Sequence, residues 1–394
     1  MREVCEKERC TGCGACVAIC AHKAVTMSEG RLGARYSTID AECCVDCGLC
    51  RNVCPVTSPV ELSSMGMAYA VYAKSKDERA SAASGGAASV LSRSMIASGG
   101  VVYGCAIDED LVPRHVRVDA FEGLDRLKGS KYVQSDTADV FKKVKTDLQN
   151  GMDVLFVGTP CQVAALKNFI SLIPALESRL YTIDLCCHGT PSQNMLNDHL
   201  DYLGVKSMAT KLSFREKTGE KIRYRLSLSD ASGSVLYDKD TVKDHYMTGF
   251  LSGIFLRENC FSCPYAVPQR CSDVTLADFW SIGESENPEM KVSKGVSTVL
   301  VNTEKGRRLF ERAADAITYE ERPLSEALKN GQFRRPTEKP DEYDIFAECY
   351  DERGYVESCR KFLPACQRRI LVQQLKTLYY KWPFRQYLRK LLKK

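Results

Sequence analysis

The apolar and polar positions of this chain follow three different periods. Unbroken apolar runs at Gly99–Ile107, Val154–Val157 and Leu180–Leu185 read as short strands of the kind that are covered on both faces. A helical period runs from about Thr137 to Leu148, and a second helix begins where the strand Val154–Val157 breaks at Gly158-Thr159-Pro160. Strand, helix and strand at this spacing predict a βαβ unit and a parallel sheet. Residues 211–240 alternate with period two, in KLSFRE, KIRYRLSLS and SVLYDKD, and predict antiparallel hairpins. Beyond about residue 320 the pattern is mostly helical.

The first 60 residues are organised by cysteine. They hold ten of the chain's 20 cysteines, and eight of these form two matching runs: Cys10, Cys13, Cys16, Cys20 and Cys44, Cys47, Cys50, Cys54, the latter followed by Pro55. Both runs read C-x2-C-x2-C-x3-C, the spacing with which bacterial ferredoxins hold two iron–sulfur clusters. Three closely spaced cysteines converge on one cuboidal cluster and the fourth turns away to complete the other. One 4Fe-4S cluster is therefore expected on Cys10, Cys13, Cys16 and Cys54, and a second on Cys44, Cys47, Cys50 and Cys20. A disulfide framework would need a secreted chain, and MREVCEKERC has no apolar signal core. Zinc ribbons separate two CxxC pairs by a longer loop. Ala21 stands where the first run would commonly have proline, a turn position and not a ligand. Cys5 and Cys43 read as extra thiols.

Composition places the rest of the 394 residues in an ordinary globular class, at 44% hydrophobic and 27% charged. No apolar run reaches the ~18 residues of a membrane span. Cysteine-rich cluster motifs without an export signal predict a reducing, anaerobic cytoplasm. The net charge of +5 misleads, because residues 367–394 carry nine Lys or Arg and no acid, leaving 46 basic against 50 acidic residues elsewhere. That tail, with Trp382, Phe384 and Tyr387, suits an anionic membrane surface, an acidic partner, or a helix packed on the body. Nucleic acid is not expected as a partner of an otherwise acidic chain. The expected division is a dicluster module at 1–60, a body in two parts at 66–150 and 151–320, and a helical extension with the basic tail at 321–394. The fold class is α+β with an α/β core: a ferredoxin-like dicluster module, then a mixed α/β flavin-binding body with a parallel βαβ core and antiparallel hairpins.

The candidate chemistry of the body lies where its parallel strands end. Ligands of open parallel sheets sit at the carboxyl ends of the strands, so GTPCQ (Gly158–Gln162) and CCHGTPS (Cys186–Ser192) should face one crevice. The helix after Pro160 offers free N–H groups to an anion. Ser84-Gly85-Gly86 and Gly129-Ser130-Lys131 are N–H-rich turns suited to phosphate or a ring edge, with Lys131 supplying charge, although such turns are often only turns. His188 alone reads more readily as a structural hydrogen bonder than as a catalytic acid. A third cysteine group follows at Cys260, Cys263 and Cys271. It suits three corners of a third cluster, with Cys187 the first choice for the fourth ligand, Cys161 the second, and Cys186 open because it adjoins Cys187. Structural zinc is the alternative there.

GSKYVQS, GTPCQVAALK, DLCCHGTPS, the C-x2-C-P-Y of Cys260–Tyr265 and SDVTLADFW (Ser272–Trp280) occur in one order and resemble the coenzyme F420 hydrogenase/dehydrogenase beta-subunit family over about residues 66–310. Ser281 departs from the ADFWG that is common there. Members bind FAD and an iron–sulfur cluster, and some are fused or paired with a dicluster ferredoxin module. The resemblance implies that Ser84, Gly85, Gly86, Lys131, Gln134, Thr159, Pro160, Cys161 and Gln162 line FAD, and that Cys187, Cys260, Cys263 and Cys271 hold the third cluster. It leaves Asp278 and Trp280 of the ADFW motif without a physical role. The activity implied is that of an iron–sulfur flavoprotein oxidoreductase, with a hydride-type substrate for which coenzyme F420 is a candidate. A ferredoxin, or a hydrogenase or dehydrogenase subunit, would be its redox partner. Two other readings stay open: an electron-relay protein without its own substrate, and a ferredoxin-driven reductase of a small metabolite or glycan precursor.

Overall fold

An eight-stranded mixed sheet carries the body, flanked by two smaller antiparallel sheets. The structure is a computed structural model and describes residues 3–64, 66–218 and 221–381. The N-terminal module contributes the hairpin β1 (Val25–Glu29) and β2 (Arg35–Ile39), paired from Val25 opposite Ile39 to Glu29 opposite Arg35. The large sheet is built from β3 (Met67–Ala73), β4 (Val101–Ile107), β5 (Pro113–Val118), β6 (Val154–Gly158) and β7 (Leu180–Leu185). A three-stranded sheet of β8 (Lys211–Thr218), β9 (Lys221–Ser229) and β10 (Val235–Asp240) follows. β11 (Val274–Asp278), β12 (Ser297–Val301) and β13 (Ile317–Arg322) then complete the large sheet, whose order is β13-β3-β12-β11-β7-β6-β4-β5.

The expected βαβ unit is present. β6 and β7 pair in parallel from Val154 opposite Leu180 to Gly158 opposite Asp184, joined through the helix Pro160–Ser171. β4 and β11 extend the parallel ladder on either side. The outer strands β5, β12, β3 and β13 are antiparallel. Strands drawn from both expected parts of the body, 66–150 and 151–320, thus share one sheet.

Strand alternation divides the core between the two faces. Val101, Tyr103, Val154 and Phe156 face the helices Ala138–Gln149 and Pro160–Ser171, packing with Phe141, Val144 and Val163. Val102, Leu155 and Ile183 face the helices Ala87–Ala97 and Glu304–Arg312, packing with Leu91, Met95 and Leu309. Truncating a residue as enclosed as Phe156 to alanine costs about 3–5 kcal/mol. The first of these cores also contains Cys13, Ala15, Ala18 and Val53 from the N-terminal module, so that module is packed into the body.

A further core joins the hairpin sheet to the C-terminal helix, through Phe214, Leu226, Leu228, Phe255, Tyr343 and Phe346. The helix Tyr343–Lys381 breaks at Gly354, whose φ of 76° only glycine adopts readily. Its basic segment is helical to Lys381. Trp382, Phe384 and Tyr387 of the expected surface-binding tail lie outside the described residues. No helix among the described residues is long and apolar enough to cross a membrane.

Candidate functional site

The two cysteine runs share a spacing but not an environment. Cys10, Cys13, Cys16 and Cys54 line one small buried hollow together with Cys5 and Ser37. These four are the thiols grouped from spacing alone. Burial pushes the Cys13 thiol up, and it pushes Cys16 up to about 12. The Cys5 thiol hydrogen-bonds to both Cys10 and Cys54, which holds those two down and its own thiol up. Bare thiolates are costly in so dry a place, and the iron of a cluster would take up their charge. In the second run burial, with Cys47 and Cys44 close by, pushes the Cys50 thiol up, while Cys20 packs against the small core that contains Cys50. Cys47 is exposed, as are Val45 and Leu49 beside it.

The body grips the first run through its carbonyls. Gln134 donates through Nε2 to the oxygens of Thr11 at 3.0 Å and Gly12 at 3.3 Å, and Thr137 Oγ1 donates to the oxygen of Cys13 at 2.7 Å. Arg257 donates to the oxygens of Thr11, Cys10 and Arg35.

A cavity of about 650 Å³ lies over the carboxyl ends of β6 and β7, a size typical of cofactor sites. The loops Gly158–Gln162 and Leu185–Thr190 both line it, as the parallel topology requires. Cys161, Cys187, Cys260 and Cys263 come together on its wall, and burial pushes all four thiols up, Cys263 to about 12. Cys271 does not stand among them. It lies behind Cys161, with its thiol 3.4 Å from the oxygen of Pro160 and 3.7 Å from Oδ2 of Asp184, off the cavity wall. The physical reason is the ion pair next to it: Arg270 Nη2 meets Asp184 at 2.9 Å with both side chains buried, and this pins residue 271 to the end of β7. Cys161, the second choice for the fourth ligand, thus shares the cavity wall with Cys187, Cys260 and Cys263, and Cys271 adjoins it from behind. Cys186 also faces the cavity but packs with Phe279 and Ala277. Among the described residues, no three or more His, Cys, Asp or Glu side chains close round a single ion.

The expected flavin-lining residues all lie at or beside the cavity, but several are already engaged. Lys131 is half-buried, with its pKa pushed down to about 8 by loss of solvent around the ammonium, which donates to the oxygens of Leu127 at 2.9 Å and Lys128 at 2.6 Å. It closes the end of the 3-10 turn Phe121–Leu127 and also lines the cavity. Gln162 accepts from the Thr159 N–H at 3.0 Å and donates to Ser135 Oγ at 2.9 Å, which caps the helix Pro160–Ser171. Ser84 Oγ donates to the oxygen of Val296, and Gly85 N–H donates to Ser297 Oγ, both at 3.0 Å. Gly86, at φ 90°, starts the helix Ala87–Ala97. Ser84 and Gly86 line the cavity, whereas Gly85 is pressed on the sheet, where a Cβ would stand 2.2 Å from the oxygen of Val71.

Other groups on the wall carry no spacing signal. Tyr132 stacks on Phe250 with ring centroids 4.6 Å apart and planes 14° from parallel. Arg215 reaches across from β8, held by Asp278 at 2.7 and 2.9 Å and laid against the rings of Tyr224 and Trp280. This gives the ADFW motif a physical role, since Asp278 orients the guanidinium and Trp280 covers it. His115 hydrogen-bonds through Nε2 to the oxygen of Val157 at 2.9 Å and through Nδ1 to Ser135 Oγ at 3.0 Å. Burial pushes its pKa down to about 4. His188 receives Thr337 and Gln332 at Nδ1, while its buried Nε2 makes no close hydrogen bond among the described residues and the main chain of Phe250 and Leu251 lies near the ring. Burial lowers its pKa as well.

The family described as the C-terminal part of the beta subunit of coenzyme F420 hydrogenase/dehydrogenase matches residues 151–327, which carry Cys161, Cys187, Cys260, Cys263 and the Arg215–Asp278 pair. Residues 151–327 belong to that family. A 4Fe-4S dicluster domain matches residues 9–58, ahead of the beta-subunit region. The chain is 23% identical over 331 residues to the F subunit of the F420H2 dehydrogenase of Methanosarcina mazei, covering 82% of this chain and 87% of that one. It is 25% identical over 368 residues to an uncharacterized protein of Methanocaldococcus jannaschii, covering 83% and 93%. Among solved structures it is similar to the F420-reducing NiFe hydrogenase complex from Methanosarcina barkeri, at a TM-score of 0.46 and 18% identity over 76% of this chain and 91% of that chain. The beta-subunit region behind a dicluster domain makes the chain an iron–sulfur electron-transfer protein of the oxidoreductase class.

Proposed function

We propose that the chain is an FAD-dependent iron–sulfur oxidoreductase. Electrons move between a hydride-type substrate at the cavity, FAD, a third 4Fe-4S cluster on Cys161, Cys187, Cys260 and Cys263, the cluster on Cys10, Cys13, Cys16 and Cys54, the cluster on Cys44, Cys47, Cys50 and Cys20, and an external redox protein. The observation that carries this reading is the cavity itself: four cysteines from three separate segments stand on the wall that leads to the first cysteine run. Stacked rings stand elsewhere on the same cavity.

The residues fit a flavin. Tyr132, Phe250, Tyr224 and Trp280 offer ring faces, the N-terminus of Pro160–Ser171 offers N–H groups, and Nε2 of His188 offers one polar contact. A bound flavin exchanges a hydride as two electrons and passes them on singly, which an iron–sulfur cluster requires. The chain's own part is to hold the ring edge with Arg215, keep His188 neutral in a dry site, and set the cysteine quartet beside the cavity. Coenzyme F420 is the candidate hydride carrier because the family's description names it. A ferredoxin, or a hydrogenase or dehydrogenase subunit, is the candidate partner, and a reducing cytoplasm the setting.

Anaerobically purified protein should contain about 12 Fe per chain and one FAD. About 8 Fe with one zinc would remove the third cluster. Absence of flavin after reconstitution would leave an electron relay. Reduced coenzyme F420 should bleach the flavin. Bleaching by reduced ferredoxin alone would remove F420 and keep the redox assignment.

A further inference from the structure

Three arginines are buried among the described residues, and they are not alike. Arg215 is paired with Asp278 and Arg270 with Asp184. Arg257 is 4% exposed, and its side-chain partners are all neutral: the main-chain oxygens of Thr11, of Cys10 at 2.9 Å and of Arg35 at 2.9 Å, with Nε unpartnered. No ion pair joins it to a carboxylate among the described residues. A buried cation without a counter-charge is costly, so its anion must come from a group that binds there.

Its position says which group. Cys260 lies three residues on, with its N–H bonded to the oxygen of Arg257 at 3.0 Å. The charge of Arg257 reaches the thiol of Cys10 on one side and those of Cys161 and Cys260 on the other. The first run is shaped round the guanidinium: a Cβ on Gly12, at φ +62°, would stand 2.8 Å from Nη2 and 2.9 Å from Nη1. A four-iron cluster with four thiolates carries net negative charge and gains more on reduction, which matches a fixed cation between two such sites.

We propose that Arg257 is the shared counter-charge of two clusters, the one on Cys10, Cys13, Cys16 and Cys54 and the one on Cys161, Cys187, Cys260 and Cys263. It raises the reduction potentials of both and holds them in register as a positioning residue for the electron that leaves one cluster and reduces the other. This rests on the three-cluster reading above.

The test uses the full chain, purified anaerobically, with iron analysis and an EPR-monitored redox titration. Arg257→Met should lower two of the three midpoints by ~59 mV or more, a tenfold change in a one-electron equilibrium, and leave the third in place. Arg257→Lys should restore them in part. If R257M does not accumulate, Arg257→Gln serves in its place, being uncharged but still a donor. Unchanged midpoints at full iron content, or all three moving together, would overturn the role of Arg257. Wild-type protein with about 8 Fe would overturn it through its premise instead, and iron content separates the two failures.

Discussion

The runs Cys10–Cys20 and Cys44–Cys54 are copies in spacing, but their second cysteines differ in setting. Cys13 is enclosed by Val53, Phe141 and Val163 in the body's core, whereas Cys47 is exposed beside Val45 and Leu49. Carbonyls from Cys10 to Cys13 accept hydrogen bonds from Arg257, Gln134 and Thr137, all from the body. The difference teaches that a symmetric motif acquires direction from what packs on it. The first run lies against the body, with Thr11 reaching the cavity wall, and the second presents Cys47 outward, where another protein can approach.

The strongest way to break this comparison is to remove one cysteine from each run. Cys13→Ser and Cys47→Ser should each lose about four of the ~12 iron atoms. Only C13S should also lower the cooperative melting of the body, because Cys13 fills part of its core, whereas C47S should shift melting by within about 0.5 kcal/mol. Equal melting losses would show that the two settings do not differ energetically. A smaller effect tests the dryness of the inner side. His115 has a folded pKa of about 4 against an ordinary 6.5, so the unfolded chain binds its proton first as pH falls. The stability held by the neutral ring is whole above about pH 6.5 and is lost towards pH 4, amounting to about 2 kcal/mol by pH 5. Denaturant melts of His115→Gln should therefore show a flatter slope between pH 7 and pH 5 than wild type, and an unchanged slope would refute a neutral buried ring. The smallest effect is Thr137→Val, which deletes the bond to the Cys13 oxygen. It should cost about 1 kcal/mol and loosen the inner run alone, seen as faster amide exchange at residues 10–13 without change at 44–47.

What could be read from sequence follows from how local each signal is. β6 and β7 were legible because central parallel strands are continuous apolar runs, and Leu180–Leu185 has the same bounds in the structure. β3 and β12 are as apolar, but they pair across more than half the chain, and nothing in either segment names its neighbour. Cysteines were legible because few chemistries tolerate four in eleven residues. The place of Cys271 off the cavity wall was not, since it lies beside the buried Arg270–Asp184 pair at the end of β7. Lys131 was legible as a charge, but its use depends on where the turn Phe121–Leu127 ends. Arg215, Arg257, His115 and Tyr132 are single residues whose meaning exists only in three dimensions.

The place of β3 in the sheet has a consequence for biogenesis. It follows the dicluster module directly, yet its neighbours are β12 and β13, near the end of the body. The module's own hairpin and both cysteine runs are complete within the first 54 residues. During synthesis the module can therefore close and receive iron while β3 still waits as an unpaired edge. The cysteine quartet of the cavity is incomplete until Cys263 has emerged. On the three-cluster reading proposed above, metal loading would follow the order of synthesis, and iron that runs short late in translation would leave the module filled and the cavity's cysteines bare.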